Sequence, residues 1–559
     1  MFEEKIKGAL SREIPIKKED IILEIPRQEF GDFAFPCFNL GKIQNENPSN
    51  IARDLTIKLK DKIKGIEVKQ IGPYVNFIIN REILVEHVIK KIIKEGKGYG
   101  YTNEGKGKKI VIDFSSPNIA KPFSIGHLRS SIIGYSLYKI FNNLGYKSIG
   151  INYLGDWGTQ FGQLIYEFKK HGSESRLKKE GIHYLLELYI KFNKDVEKNP
   201  ELQEKAREEF KKLEEGDEES LKIWKKFREM SLKEFNELYK KIGIKFDFYV
   251  GESSYNKKLD SIIEMLKKKG LVKESQGALV VQTDKNAPPC ILRKSDGAST
   301  YELRDIAAAI DRYFKFKPEK ILYVVGSEQK FHFEQFFKVL RMAGFSFVKN
   351  CVHVPFGLIT LPEGKISTRQ GRVIFMEDVI NKAVSLAEKI IEGKNPNIAN
   401  YKKKKIAEKI AIGTIIYNDL SNDRILNIKF DWNKALSLEG NSAPYLQYSY
   451  VRANSILKKA GVIKKKPVYK NIDDREKLLA HELLMMPKVV KQAAENYKPN
   501  LIANYCYNLS QIFNDFYENC PVINAESGIK ERRVMLVKAA KQVLENCFNL
   551  LLVPVIEEM

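Results

Sequence analysis

The chain has 559 residues, and at roughly 100–200 residues per domain that excludes a single-domain protein and sets an expectation of about three domains. Lys and Arg number 94 against 71 Asp and Glu, a net charge of +23 that suits a polyanionic partner such as RNA and equally a Lys-rich surface. The six cysteines are scattered with no C-x-x-C pair, there is no apolar run of about 18 residues, and the N-terminus is acidic and amphipathic. These features argue against a zinc ribbon, a disulfide framework, a membrane span and a signal peptide, and for a reducing cytoplasm.

Residues 1–105 read as a small α+β unit. Phe2, Ile6, Ala9 and Leu10 form a helical stripe, and Ile21–Ile25 reads as a strand. Asn47-Pro48-Ser49 signals a helix beginning near Asn50, and IEVKQIGPYVNFII reads as a hairpin broken at Gly72-Pro73. A Gly/Lys-rich linker, residues 95–109, follows. From 106 to 395 strands alternate with helices. The strand candidates Ile110–Phe114, Ser148–Tyr153, Ile321–Val325 and Val352–Ile359 predict a parallel sheet of Rossmann type. A charged helical stretch and short strands, about 172–295, read as an insertion between the sheet halves with a solvated face. Residues 396–559 are almost wholly helical; Leu501, Tyr505, Leu509 and Phe513 recur at helical spacing, as in a bundle. The fold class is therefore multidomain α/β, with a helical/β insertion, an N-terminal α+β add-on and a C-terminal all-α bundle.

The chemistry concentrates at the strand-to-helix junction IVIDFSSPNIAKPFSIGHLRSSIIG, Ile110–Gly134. Such junctions bind phosphates at the helix N-terminus. Gly126 lets a base or ribose approach the backbone, while Lys121, Ser124 and His127 can meet phosphates. A second basic segment, KISTRQG at Lys365–Gly371, reads alone as surface. As a loop it can fold over a triphosphate with Lys365, Ser367 and Arg369. His332 and Gln335, on a predicted helix, are candidates for an adenine or ribose pocket. His353 precedes VPFGL and offers its backbone to adenine more readily than its ring.

SIGH, within SPNIAKPFSIGHLRS, resembles the HIGH signature of class I aminoacyl-tRNA synthetases, and the longer string resembles the arginyl members. Ser124 stands where the family has the first His. KISTRQG resembles the second class I signature, KMSKS, in its STR form; Thr368 replaces the second lysine, and Lys121 can supply the missing charge. GDWGTQFG, YELRDIA and EGNSAPYLQY extend the resemblance, which covers about Ile25–Met559 and is thin in 172–275 and 458–500.

The resemblance implies an ATP-dependent arginine–tRNA ligase: arginyl-adenylate and pyrophosphate form first, with Mg²⁺ accompanying ATP and no zinc. Arginine then passes to the terminal adenosine of tRNA(Arg), through the 2′-hydroxyl. It implies a monomer that needs bound tRNA for activation. The arginine-contacting positions map onto Asp113, Asn118, Tyr301, Asp305 and Gln329. A guanidinium calls for a carboxylate with bidentate geometry, and Tyr301 and Asp305 share a helix face at i and i+4. Asp305 equally reads as a salt-bridge partner of Arg304, Arg312 or a lysine. Trp157 reads as core packing. For tRNA the resemblance implies Tyr445, Tyr448, Arg452 and the terminal Met559 at the anticodon, and Tyr74 and Asn76 of GPYVNF at the D-loop; the tyrosines equally read as a core stripe. Two rivals stay open. One is a class I synthetase for another amino acid, against which the unpaired cysteines and the acidic pocket argue. The other is a tRNA-binding paralogue without ligase activity, kept open by Ser124, Thr368 and Asp113.

Overall fold

A computed structural model describes residues 2–360, 375–394, 398–463 and 465–558. Contacts divide the chain into two compact units. One comprises Met1–Tyr99, Arg452–Met486 and Asn508–Leu544; the other comprises Gly100–Val451, Pro487–Tyr507 and Glu545–Met559. Residues of the C-terminal helical region fall in both.

In the first unit, β1 (Phe33–Pro36), β2 (Ile66–Ile71) and β3 (Tyr74–Ile79) form an antiparallel sheet with β3 in the middle. The Gly72-Pro73 turn closes the predicted hairpin between β2 and β3. The helix Pro48–Leu59 starts where proline can sit without losing a hydrogen bond, and Asn47 Oδ1 accepts from Ser49 N–H at 2.9 Å. Ile21–Ile25 is not a strand. Ile21 and Leu23 are buried and Ile22 is exposed, as alternation requires, but the segment makes an isolated bridge, Glu24 to Ala34, and not a ladder. A period of two shows which side chains face inward; a strand also needs a neighbour along its length.

The second unit is built on one parallel sheet. Its strands are β4 (Lys109–Asp113), β5 (Lys147–Leu154) and β6 (Phe248–Gly251), then, after a small antiparallel sheet of β7 (Val272–Ser275), β8 (Ala278–Val281) and β9 (Cys290–Arg293), β10 (Lys320–Gly326) and β11 (Cys351–Phe356). The order is β11-β10-β4-β5-β6, all parallel. From β4 the chain builds outward to β5 and β6, then returns to the other side of β4 with β10. The strand order reverses there, and ligands bind at the carboxyl ends of strands at such a switch point. All four predicted strands are present, although the fourth ends at Phe356 and a two-residue strand, Ile359–Thr360, follows separately.

The insertion differs from expectation in two ways. Phe248–Gly251 lies inside the predicted boundaries yet is the edge strand of the main sheet, paired with β5. Its apolar run, Phe248-Tyr249-Val250, is short and none of the three is fully buried, so it signals less than the central strands do. The charged helices are also not merely a solvated face. The helix Glu218–Ile242 buries Phe227, Ser231, Phe235 and Tyr239, and Ser231 and Tyr239 hydrogen-bond to the junction after β4. Among the described residues, no helix is long and apolar enough to cross a membrane.

Candidate active site

β4 ends at Asp113, and the turn behind it is unusual. Ser115, Ser116 and Ala120 all have positive φ (75°, 48° and 60°), a region costly for side chains with a Cβ. The surroundings hold the turn in place. Ser130 Oγ accepts from Ser115 N–H (2.9 Å) and donates to Val324 O (2.6 Å), tying the turn to β10. Ser115 Oγ lies 2.6 Å from Tyr239 Oη, and Ser231 Oγ accepts from Ala120 N–H at 2.9 Å. Ser231 and Tyr239 were missed in the sequence because they sit on an amphipathic helix whose apolar stripe signals burial and nothing more.

The turn opens into the helix Ile125–Asn143. Gly134 sets this helix close to β4: a Cβ there would lie 2.2 Å from Phe114 Cβ. Ser124 is the N-cap, and its Oγ accepts from His127 N–H (3.4 Å). Its oxygen accepts at the helix end, and the hydroxyl keeps its proton to donate. His127 completes a reciprocal cap, its Nδ1 accepting from Ser124 N–H at 3.1 Å. Nδ1 thus carries a lone pair, and the neutral ring holds its proton on Nε2. Burial, and then the charge of Lys121, lower the His127 pKa to about 4. The ring presents an N–H donor, not a cation, near neutral pH. Lys121 lies with Nζ 5.3 Å from the Tyr189 ring centre. A Cβ on Gly126 would meet only Ser124 Oγ, at 3.6 Å, so the chain leaves that side of the turn open.

A further residue of this helix escaped the sequence reading. Arg129 is fully buried; its Nε donates to Asp419 Oδ1 (3.1 Å), and its other nitrogens donate to the carbonyls of Gly357, Leu358, Arg424 and Leu426. It joins the helix to the strand that leads toward KISTRQG. Lys365, Ser367 and Arg369 themselves lie outside the described residues, as does Met559.

The five mapped arginine contacts separate. Asn118 bridges to Gly155 of the GDWG string, and a Cβ at Gly155 would lie 2.4 Å from Asn118 Oδ1. Trp157 packs against Phe210 and Trp224, as expected of a core residue. Asp113, expected to face a substrate guanidinium, is instead 3% exposed and paired with the chain's own guanidinium: Oδ2 is 2.7 Å from Arg312 Nη1, and Oδ1 accepts from Ser116 Oγ. Burial pushes the Asp113 carboxyl up, and Arg312 opposes that shift. Arg304 turns away to Ser299 and Glu252. Among the described residues, neither arginine and no lysine pairs with Asp305. Asp305 Oδ2 lies 2.7 Å from His332 Nε2, and the His332 ring is 4.7 Å from that of Tyr301. His332, expected beside adenine, is thus brought to Tyr301 and Asp305. Gln335 donates to Pro288 O, a structural role. Gln329 is exposed in the turn after β10. The His353 ring stacks on Phe333 (4.3 Å) and donates from Nε2 to Val325 O at 3.0 Å, so its imidazole is occupied within the sheet.

Of the expected tRNA contacts, Tyr448 is 41% exposed. Tyr445 is half-buried with its ring edge-on to Tyr507 (5.7 Å). Arg452 donates to Asn514 Oδ1 and lies over Tyr517, so its guanidinium is partly engaged. Tyr74 packs edge-on against the exposed Phe38. Asn76, expected at the same surface, is 2% exposed in the central strand and cannot reach RNA from there.

A parallel sheet that reverses at β4, with a capped glycine-containing turn at its carboxyl end, is a frame that binds nucleotides in many α/β proteins. Residues 88–432 match the family described as tRNA synthetases class I (R), catalytic domain, which makes the class I aminoacyl-tRNA synthetases its class. Residues 1–79 match the arginyl tRNA synthetase N terminal domain, and 446–559 the DALR anticodon binding domain. Arginine–tRNA ligases of Halothermothrix orenii and Clostridium perfringens are 44% and 43% identical to it, each alignment covering 100% of both chains. The chain belongs to the arginyl-tRNA synthetase family. The fold agrees with arginyl-tRNA synthetase structures from Thermus thermophilus (TM-score 0.85, 24% identity, 100% of this chain and 99% of that one) and Plasmodium falciparum (0.83, 25%, 100% and 98%).

Proposed function

We propose that this chain activates L-arginine with ATP and transfers it to the 3′-terminal adenosine of tRNA(Arg), as a cytoplasmic monomer. The observation that supports the arginine reading most is Asp305: at the switch point it is an acid that, among the described residues, pairs with no Lys or Arg of the chain. A guanidinium fits such a carboxylate through two parallel hydrogen bonds. Asn118, held against Gly155, takes the substrate amine or carboxylate, and Tyr301 and Gln329 are the remaining arginine contacts.

The reaction needs no protein nucleophile. The arginine carboxylate attacks the α-phosphate of ATP, the α–β bond breaks, and pyrophosphate leaves; a tRNA hydroxyl then displaces AMP from the adenylate. The chain contributes position and charge. The N-terminus of the Ile125 helix and the His127 Nε2–H face phosphate oxygens, with Lys121, Lys365, Ser367 and Arg369 adding donors and charge. Mg²⁺ enters with the triphosphate as part of the substrate. Tyr445 and Tyr448 stack on anticodon-loop bases, and Tyr74 with Phe38 offers an aromatic surface to the D-loop.

The test is ATP–pyrophosphate exchange with each proteinogenic amino acid, with and without total tRNA. Exchange with arginine alone, dependent on tRNA, is the expected result. Exchange with another amino acid would discard the Asp305 pocket, and no exchange in a folded, tRNA-binding protein would leave a paralogue without ligase activity.

A further inference from the structure

We infer that His332 is a positioning residue for amino-acid selection: its Nε2–H holds one oxygen of the Asp305 carboxylate and sets the plane in which the other meets the guanidinium. The inference rests on reading Asp305 as the guanidinium acceptor.

The ring is itself fixed. It lies 5.2 Å from Phe336, 5.3 Å from Phe333 and 4.7 Å from Tyr301, on the helix Lys330–Met342. Its side chain is 5% exposed, whereas that of Asp305 is 22% exposed and open to a ligand. Nδ1 is buried with no hydrogen-bond partner among the described residues. A proton there would be a buried, unpaired N–H, the more costly orphan; a bare Nδ1 leaves only a weak acceptor unmet. The proton therefore sits on Nε2 and points at Asp305 Oδ2, 2.7 Å away.

The neighbouring acid shows what this arrangement avoids. Asp113 is held by Arg312, a full positive charge, and is thereby neutralised. The hydrogen bond from His332 orients Asp305 through one oxygen and leaves the other to meet a cation. Orientation matters because a guanidinium is planar and needs the carboxylate in its own plane, whereas an ammonium is a point charge that accepts any rotation. An Asp305 free to turn would still attract a cation but would distinguish arginine from lysine less well.

The test uses the full-length protein in tRNA-supported exchange. His332→Phe keeps a flat apolar ring and removes the donor; the arginine KM should rise at least tenfold with the ATP KM unchanged, and the arginine-over-lysine ratio should narrow. His332→Gln, which can place an N–H near the same point, should recover most of the loss. In an Asp305→Asn background, His332→Phe should add nothing further. An unchanged arginine KM in the Phe variant, or a raised ATP KM alone, would overturn the inference, the latter returning His332 to the adenine side. Equal loss in the Phe and Gln variants would reduce His332 to packing. If wild-type protein gives no arginine-dependent exchange, the reading of Asp305 fails first, independently of His332.

Discussion

Two aspartates carry the guanidinium question, and substitution should separate them. Asp305→Asn removes a charge from a partly open side chain whose only described partner is His332. The amide oxygen can still accept from Nε2, so the fold should be unaffected. The loss falls on the substrate: a charge-assisted hydrogen bond contributes about 2 kcal/mol, equivalent to roughly 30-fold in kcat/KM for arginine. Asp113→Asn acts elsewhere. It leaves Arg312, 2% exposed, with Nε and Nη2 already unpartnered among the described residues, without its countercharge. Breaking such a buried pair from one side costs about 3–5 kcal/mol of stability. The assay is paired: thermal melting of each variant, and arginine KM and kcat in tRNA-supported exchange. Asp305→Asn should melt like wild type with a raised arginine KM, and Asp113→Asn should melt several degrees earlier. Unchanged arginine kinetics in Asp305→Asn would remove it from the pocket, and a stable Asp113→Asn with a selectively raised arginine KM would restore Asp113 as the acceptor.

Other expectations follow from single contacts. Gly155→Ala should displace Asn118, because the new Cβ would lie 2.4 Å from its Oδ1; activation should fall with little change in tRNA binding, and normal kinetics would show that Asn118 is not a substrate contact. Tyr448→Ala should leave melting unchanged, the ring being 41% exposed, and should raise the KM for tRNA by a stacking loss of about 1–3 kcal/mol; an unaltered tRNA KM would take Tyr448 out of the RNA interface. His127 titrates at about 4 when folded against an ordinary 6.5, so the unfolded chain takes up the proton first and stability falls as pH drops from about 6.5 toward 4. His127→Asn lacks this contribution and should lose less melting temperature between pH 7 and pH 5; equal losses would mean the ring is not buried neutral.

The strands and the junction were legible because their signals are local. Apolar runs closed by turn residues predict Ile110–Phe114 and Ser148–Tyr153, and these appear as β4 and β5 within a residue or two. Ser124 before Ile125, and Gly72-Pro73 between two alternating runs, are likewise readable, since caps and turns are made by neighbours in the chain. Asn118 and Asp305 could be named from motifs alone.

What those residues touch could not be read, because a partner far along the chain leaves no mark on periodicity. Asp113 and Asp305 look alike in sequence; only folding brings Arg312 to one and His332 to the other. Tyr239 and Ser231 lie on a helix whose stripe predicts burial without saying that they meet Ser115 and Ala120. Asn76 alternates with Tyr74 and Ile78 as if to face outward, yet its side chain is covered. The sequence by itself determined most of the elements, the family and the residue types of the site, all functions of local pattern. Tertiary structure alone decided which acid stays open, which histidine orients it and which charges cancel inside the fold, because those depend on long-range approach in a low-dielectric interior.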